Sequence, residues 1–271
     1  MSYVLIIAGL IVFGYACRTF ENRLLAKAGW IAMLAATYVG GLWLSGSHAG
    51  GAASMALWFV LPWIDIVSRV RHLRFPLLNE VGHRFPPSRE VFPDLGEITA
   101  EIEKEGFEEA ENAGWRWEDM DHFMRLFYHA EHRTQAAITL AQQEGFAMSY
   151  VSVTSRTTDG RIFTTSNYPF SFTMKFGPDH QVNRYEAAQS FEDLMASHRQ
   201  FMADQGVETS QLAELDAETL SDLLEHDMEK QIRHNVSVGV LEPADEENVF
   251  RYSWRGCWFL WIQVVKDMIR V

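Results

Sequence analysis

The first 70 residues of this chain contain three apolar stretches that are long enough to cross a lipid bilayer. They cover about residues 2–17, 25–44 and 51–68. At a rise of about 1.5 Å per residue, helices over these stretches span roughly 24–30 Å, close to the thickness of a hydrocarbon core. The sequence therefore predicts a transmembrane domain at residues 1–74 with three membrane-spanning helices.

The basic residues that flank these stretches alternate from one loop to the next. Residues 18–27 contain three Lys or Arg, residues 45–51 contain none, and residues 69–74 contain three. Because Lys and Arg accumulate on the cytoplasmic side, this pattern predicts an external N-terminus and a cytoplasmic location for residues after about 68. The basic residues also follow the first stretch instead of preceding it, so we expect a retained anchor and not a signal peptide. We expect the membrane to be a prokaryotic cytoplasmic membrane.

Small residues recur at every fourth position of the second stretch, at Ala28, Ala32, Ala36 and Gly40. This spacing places them on one face of a helix, where two helix backbones can approach closely. The pattern favours packing against another span, either within the chain or in a partner. Asp65, near the cytoplasmic end of the third stretch, is expected to reach water or to pair with Arg69.

The remainder of the chain is strongly acidic. Six of the 23 Lys and Arg and two of the 36 Asp and Glu fall in residues 1–74, so residues 75–271 hold 17 and 34, a net charge of −17. Such a domain repels nucleic-acid backbones, which excludes a nucleic-acid partner, and it repels the anionic inner leaflet. With two cysteines in the whole chain, a Cys-rich zinc module is also excluded.

Local patterns after residue 74 predict an α+β cytoplasmic domain at 95–252, joined to the spans by a Pro-rich linker at 75–94. Alternating residues and turn signals such as Asp159-Gly160 indicate an antiparallel meander of about five strands. Apolar residues with helical spacing occur both before and after this meander in the sequence. The predicted strands are 123–129, 134–141, 146–157, 161–166 and 170–176, and the predicted helices are 95–113, 191–205 and one starting near Asp216.

The C-terminal segment, 253–271, has the pattern of an amphipathic helix. Trp254, Trp258 and Trp261 fall on a broad apolar side, and Lys266 and Arg270 lie in the polar arc. Tryptophan combined with basic residues is typical of a helix lying in the membrane interface. We expect this helix to contact lipid or the spans, although packing on its own domain is the alternative.

One cluster of titratable residues stands out, comprising His122, His129, Glu131 and His132. Imidazole and carboxylate side chains that converge in space bind zinc and similar divalent ions. The spacing matches no metal motif with a known mechanism, so a solvated polar turn is the competing interpretation. For His198, on the apolar face of its predicted helix, we expect a buried ring bonded to a strand.

These observations favour a non-enzymatic integral membrane protein that acts as an accessory, scaffolding or assembly subunit and needs no cofactor. Its expected partners are the lipid membrane and other membrane subunits or further copies of itself. The alternative is a membrane-tethered metal-dependent enzyme or small-ligand-binding domain built on the histidine cluster. A transporter or channel component is a weaker alternative, because three spans with one interfacial Asp provide little polar lining.

Overall fold

The structure, a computed structural model, describes residues 2–20 and 22–270 and divides them into two compact units. The helical unit consists of the described residues up to Leu73, together with Phe170–Thr173 and those from Arg251 onwards. The sheet unit consists of Arg74–Pro169 and Met174–Phe250. The α-helices of the described chain are α1 (Ser2–Arg18), α2 (Arg23–Ser45), α3 (His48–Ser68), α4 (Leu95–Lys104), α5 (Phe191–Asp204), α6 (Leu220–Ser237) and α7 (Trp254–Arg270).

Two helices of the helical unit are long and apolar enough to cross a membrane, over Leu24–Ser45 and His48–His72. The first helix is apolar but shorter, over Tyr3–Arg18. The prediction of three helices that meet this criterion is therefore confirmed for the second and third stretches and wrong for the first. Its apolar run ends too early, because Arg18 and Thr19 close the helix after little more than four turns.

Glycine allows the first three helices to pack closely. A Cβ added to Gly29 of α2 would lie 2.7 Å from the carbonyl oxygen of Gly14 in α1, and one added to Gly41 would lie 2.7 Å from the carbonyl oxygen of Gly50 in α3. These distances are shorter than any side chain tolerates, so the backbones approach one another directly at both crossings. The turn between α2 and α3 is fixed by Ser47, whose hydroxyl accepts a hydrogen bond from the Gly50 amide at 3.1 Å.

The sheet unit is built on a seven-stranded sheet in which the strands follow chain order. All neighbouring strands are antiparallel except the last two, β7 and β8, which are parallel. A small second sheet has the order β1-β10-β9. The strands are β1 (Phe75–Pro76), β2 (Gly82–His83), β3 (Glu108–Trp117), β4 (Met120–His129), β5 (Thr134–Gln143), β6 (Phe146–Arg156), β7 (Ile162–Ser166), β8 (His180–Arg184), β9 (Leu241–Pro243) and β10 (Val249–Tyr252).

Both faces of the large sheet are covered by helices, which makes its central strand β5 buried almost throughout. On one face, Phe127, Ile138 and Val153 pack with residues of α4 and α5. On the other face, Ala137 and Leu126 pack with Leu220 of α6 and its neighbours. The α+β class predicted from the sequence is confirmed.

Two predicted elements of this region are wrong. The segment 170–176 alternates like a strand but forms none; the strand lies later, at β8, and pairs in parallel with β7. A parallel neighbour requires a crossover connection, and residues 167–179 supply it. The predicted helix 95–113 ends at α4, because Gly106 turns the chain at φ +86° and the following residues pair with β4.

Candidate functional site

The structure brings together only part of the predicted histidine cluster. The rings of His129 and His132 lie 4.2 Å apart between centroids, and the His132 amide donates to Nδ1 of His129 at 3.2 Å. Glu131 lies in the same exposed turn. Burial, followed by the positive charge of His132, lowers the pKa of His129.

His122 lies elsewhere on the same strand. It precedes His129 by seven residues of β4, a separation of roughly 24 Å at the rise of an antiparallel strand. Its ring stacks on Trp115 of β3 at 4.6 Å, and burial lowers its pKa to about 4. Across residues 2–20 and 22–270, no three His, Cys, Asp or Glu side chains group as a metal site would require. Metal binding by the four residues stays a prediction.

A different polar cluster lies between β6, β7, β8 and α6, and we name it the His180 cluster. Nε2 of His180 is 2.9 Å from the Thr164 hydroxyl, which is 3.0 Å from the Thr154 hydroxyl. Beside them, Arg156 of β6 forms an ion pair with Asp227 of α6. A second ion pair, between Lys230 of α6 and Asp179, borders the cluster.

The His180 cluster lies beside a small cavity. The cavity beside it has a volume of about 20 Å³, which is room for about one water molecule. Burial lowers the pKa of His180 to about 4, so its ring is neutral near pH 7. Through the Arg156–Asp227 pair, the cluster joins the sheet to α6.

His198 of α5 is buried under the opposite face of the sheet, as predicted. Its Nε2 is 2.9 Å from the Ser155 hydroxyl and its Nδ1 is 3.0 Å from the Thr165 hydroxyl. The ring is 2% exposed, and burial lowers its pKa to about 4. A hydroxyl and an imidazole this close could form a nucleophile and base pair, but both groups are sealed from solvent. The network holds α5 on the sheet.

The aromatic side chains of α7 contact α3 within the helical unit. The Trp261 indole N–H donates to the carbonyl oxygen of Phe59 at 2.8 Å, and Trp258 meets Trp63 edge-to-face at 5.9 Å. Near the start of α7, the Arg71 guanidinium lies 4.3 Å from the centre of the Trp254 ring. Trp261 therefore contacts α3 directly, and whether α7 also contacts lipid stays a prediction. Trp254 and Trp258 remain 55% and 53% exposed, and Lys266 and Arg270 are also exposed.

The predicted small-residue stripe is partly enclosed in the helical unit. Ala32 and Ala36 are each 5% exposed, whereas Ala28 and Gly40 are half-buried. The tightest backbone contacts of α2 occur one position away from the ends of the stripe, at Gly29 and Gly41. The sequence reasoning missed these two glycines, although each is adjacent in sequence to a stripe residue.

Asp267 of α7 is a polar site that the sequence reasoning did not single out. Its carboxylate accepts hydrogen bonds from the Ser171 amide at 2.8 Å and the Ser171 hydroxyl at 2.6 Å. Residues 170–173 thereby bind to α7 within the helical unit. The pairing joins positions 96 residues apart, so no local pattern could have revealed it.

Comparisons of the chain with protein families, with curated proteins and with solved structures give no match. Function must therefore be argued from the geometry described above.

Proposed function

We propose that this chain is an integral membrane protein with an accessory, scaffolding or assembly role. The observation that carries the proposal is the exposed apolar surface of the first three helices. Among the described residues, 18 of the 26 exposed large hydrophobic side chains lie within the first 64 positions. Soluble proteins rarely expose apolar patches of this extent, whereas a bilayer covers them.

The low burial of α2 and α3 supports the same proposal. In the most apolar 18-residue segments of α2 and α3, 22% and 11% of the residues are buried. A core helix of a soluble protein would be enclosed on most sides. Together with the alternating basic loops, this favours α2 and α3 as membrane spans and a cytoplasmic sheet unit.

A non-enzymatic role is favoured by how the polar groups of the sheet unit are used. The Ser155–His198 pair is sealed, and the His180 cluster has room for about one water. The chain instead offers the exposed aromatic rings of Trp254 and Trp258, which are suited to contacts with a partner subunit or a second copy.

Isolation of the full chain tests this proposal. Membranes from expressing cells are washed with alkaline carbonate, extracted in mild detergent and chemically crosslinked. We expect the chain to stay in the washed pellet and to crosslink to itself or to a partner that survives purification. Release into the wash, or a strictly monomeric chain without any crosslinked partner, would contradict the proposal.

The adjacent rings of His129 and His132 favour one second candidate, a metal-dependent activity. It predicts stoichiometric zinc, iron or manganese in the purified protein, measured by elemental analysis. The metal should be lost on His129→Ala and retained on His226→Ala, which alters an exposed histidine of α6. Equal metal content in the two variants would reject this candidate.

A further inference from the structure

An apolar groove runs along the helical unit between α2, α3 and α7. It comprises two open pockets of about 680 and 410 Å³ that share Trp58 and Met268. Both volumes fall in the range of sites for small ligands, roughly 300–1,000 Å³. The larger pocket reaches Leu44 near the end of α2, and the smaller one reaches Trp30 and Met33 nearer its start.

The larger pocket is almost entirely apolar, and a glycine forms part of its wall. Gly40 lies in its wall, and a Cβ added there would meet nothing closer than Ile7, at 4.0 Å. Along α2, the distance from Met33 to Leu44 is about 17 Å at 1.5 Å per residue. The groove therefore has a length that suits an extended hydrocarbon chain.

The smaller pocket contributes one positive and one negative group. Arg18 of α1 and Asp267 of α7 are both among its lining residues. The aliphatic stem of Arg18 lies over Gly29, where an added Cβ would come 3.1 Å from Cγ. Arg18 and Asp267, both described by the structure, form no ion pair with each other. The carboxylate is held in place by Ser171 and retains lone pairs for a further donor.

We propose that this groove binds one phospholipid with a zwitterionic, amine-bearing head group. The phosphate pairs with Arg18, the ammonium pairs with Asp267, and an acyl chain follows the apolar pocket toward Leu44. Arginine and phosphate form strong charge-assisted hydrogen bonds. The inference rests on the proposed membrane location of the helical unit.

Charge complementarity favours a phospholipid over a second protein helix. A helix seated in the groove would bury Arg18 and Asp267 in hydrocarbon without providing both counter-charges, which is costly. An amine-bearing phospholipid provides both charges on one head group. A purely anionic phospholipid would satisfy Arg18 but place its negative charge beside Asp267.

The test uses the full chain reconstituted in bilayers of equal parts phosphatidylethanolamine and phosphatidylglycerol. After gentle detergent release, native mass spectrometry counts the phospholipids that each chain retains and identifies their class. We expect about one retained phosphatidylethanolamine per chain. Asp267→Asn should reduce the preference for phosphatidylethanolamine over phosphatidylglycerol about tenfold, as expected for loss of one charged hydrogen bond. Arg18→Gln should weaken retention of both classes.

Matched glycine variants separate groove binding from general lipid adhesion. Gly40→Leu fills the groove and should abolish the retained lipid. Gly9→Leu, in α1 where an added Cβ has no neighbour within 4 Å, should leave the retained lipid unchanged. Circular dichroism checks that both variants remain folded. Equal retention by the two variants, or no retained lipid in wild type, would overturn the inference.

Two further outcomes have distinct meanings. If native mass spectrometry detects a lipid-free dimer and Gly40→Leu converts it to a monomer, a second copy occupies the groove. That result would overturn the inference. If the chain never enters the membrane pellet, the proposed function fails and the lipid site fails with it. A membrane-embedded chain without groove lipid refutes the lipid site alone.

Discussion

At the scale of single residues, Arg156 is a largely buried cation of the sheet unit that is paired with one carboxylate of α6. Its side chain is 13% exposed, and its Nε is buried without a hydrogen-bond partner among the described residues. Asp227, itself 20% exposed, provides the counter-charge from α6. A buried charge that loses its partner costs more than the pair contributes, because its desolvation is no longer offset.

Asp227→Asn is therefore expected to lower the free energy of unfolding by about 3 kcal/mol. Urea unfolding of the detergent-solubilised chain, followed by tryptophan fluorescence, measures the change. The matched control on the same helix is Glu229→Gln. Its partner, Arg233, is 63% exposed, so the loss should stay below about 1 kcal/mol. Similar losses for the two variants would mean that the Arg156 pair is solvated.

His198 predicts a dependence of stability on pH. Burial lowers its pKa to about 4 in the folded chain, against about 6.5 for an unfolded histidine. Between these values the unfolded state binds more protons, so the stabilisation is complete above pH 6.5 and is lost as the pH falls through 4. We expect His198 to account for a loss of up to about 3 kcal/mol over this interval.

Unfolding titrations at several pH values measure this contribution. His198→Gln should reduce the change in the free energy of unfolding between pH 6.5 and 4. Carboxylates and the buried His122 and His180 account for the pH dependence that remains. His226→Gln, on an exposed position of α6, should leave the slope as it is in wild type. If His198→Gln leaves the pH dependence of the free energy of unfolding unchanged, the buried ring of His198 does not control that dependence.

At the scale of elements, the crossing of α1 and α2 depends on backbone contact at Gly29. Ala usually stabilises a helix relative to Gly by roughly 0.5–1 kcal/mol. At Gly29, however, the methyl group would lie 2.7 Å from the Gly14 carbonyl oxygen and force the helices apart. Gly9 has no neighbour within 4 Å of an added Cβ.

Gly29→Ala should thus lower the thermal unfolding midpoint of the detergent-solubilised chain, whereas Gly9→Ala should leave it unchanged or raise it. Circular dichroism during heating measures both midpoints. The opposite signs are the diagnostic result, since intrinsic helix propensity acts equally on the two positions. A rise for both variants would contradict a close crossing at Gly29.

Elements with strong local signals could be predicted from the sequence. The period of two and the turn at Asp159-Gly160 located β6 and β7, and the apolar face around Leu194 located α5. The failures have a common cause in long-range pairing. The segment 170–176 has the alternation of a strand but connects two parallel strands, and residues 108–113 favour helix locally but pair with β4.

The candidate sites were less predictable than the elements for the same reason. Thr154 and Thr164 lie on two strands that the sequence predicts, but His180 joins them through the unexpected parallel strand β8. Asp227 reaches Arg156 across 71 residues. Conversely, His122 and His129 are close in sequence but lie far apart, because an extended strand separates its residues by about 3.4 Å each.

At the scale of the whole molecule, the account depends on the helical unit lying in a membrane with the sheet unit on the cytoplasmic side. The native cysteines, Cys17 and Cys257, are buried, at 6% and 0% exposure. They should therefore react slowly with a maleimide, which allows single introduced cysteines to report topology. Ala49 near the start of α3 and Glu246 before β10 are exposed positions for such reporters.

The most direct measurement is labelling of Ala49→Cys and Glu246→Cys in intact cells with a membrane-impermeant maleimide. The account predicts that Ala49→Cys reacts in intact cells and that Glu246→Cys reacts only after the membrane is permeabilised. The unaltered chain gives the background in both conditions. Labelling of Glu246→Cys in intact cells, or recovery of the chain from the soluble fraction, would contradict the account.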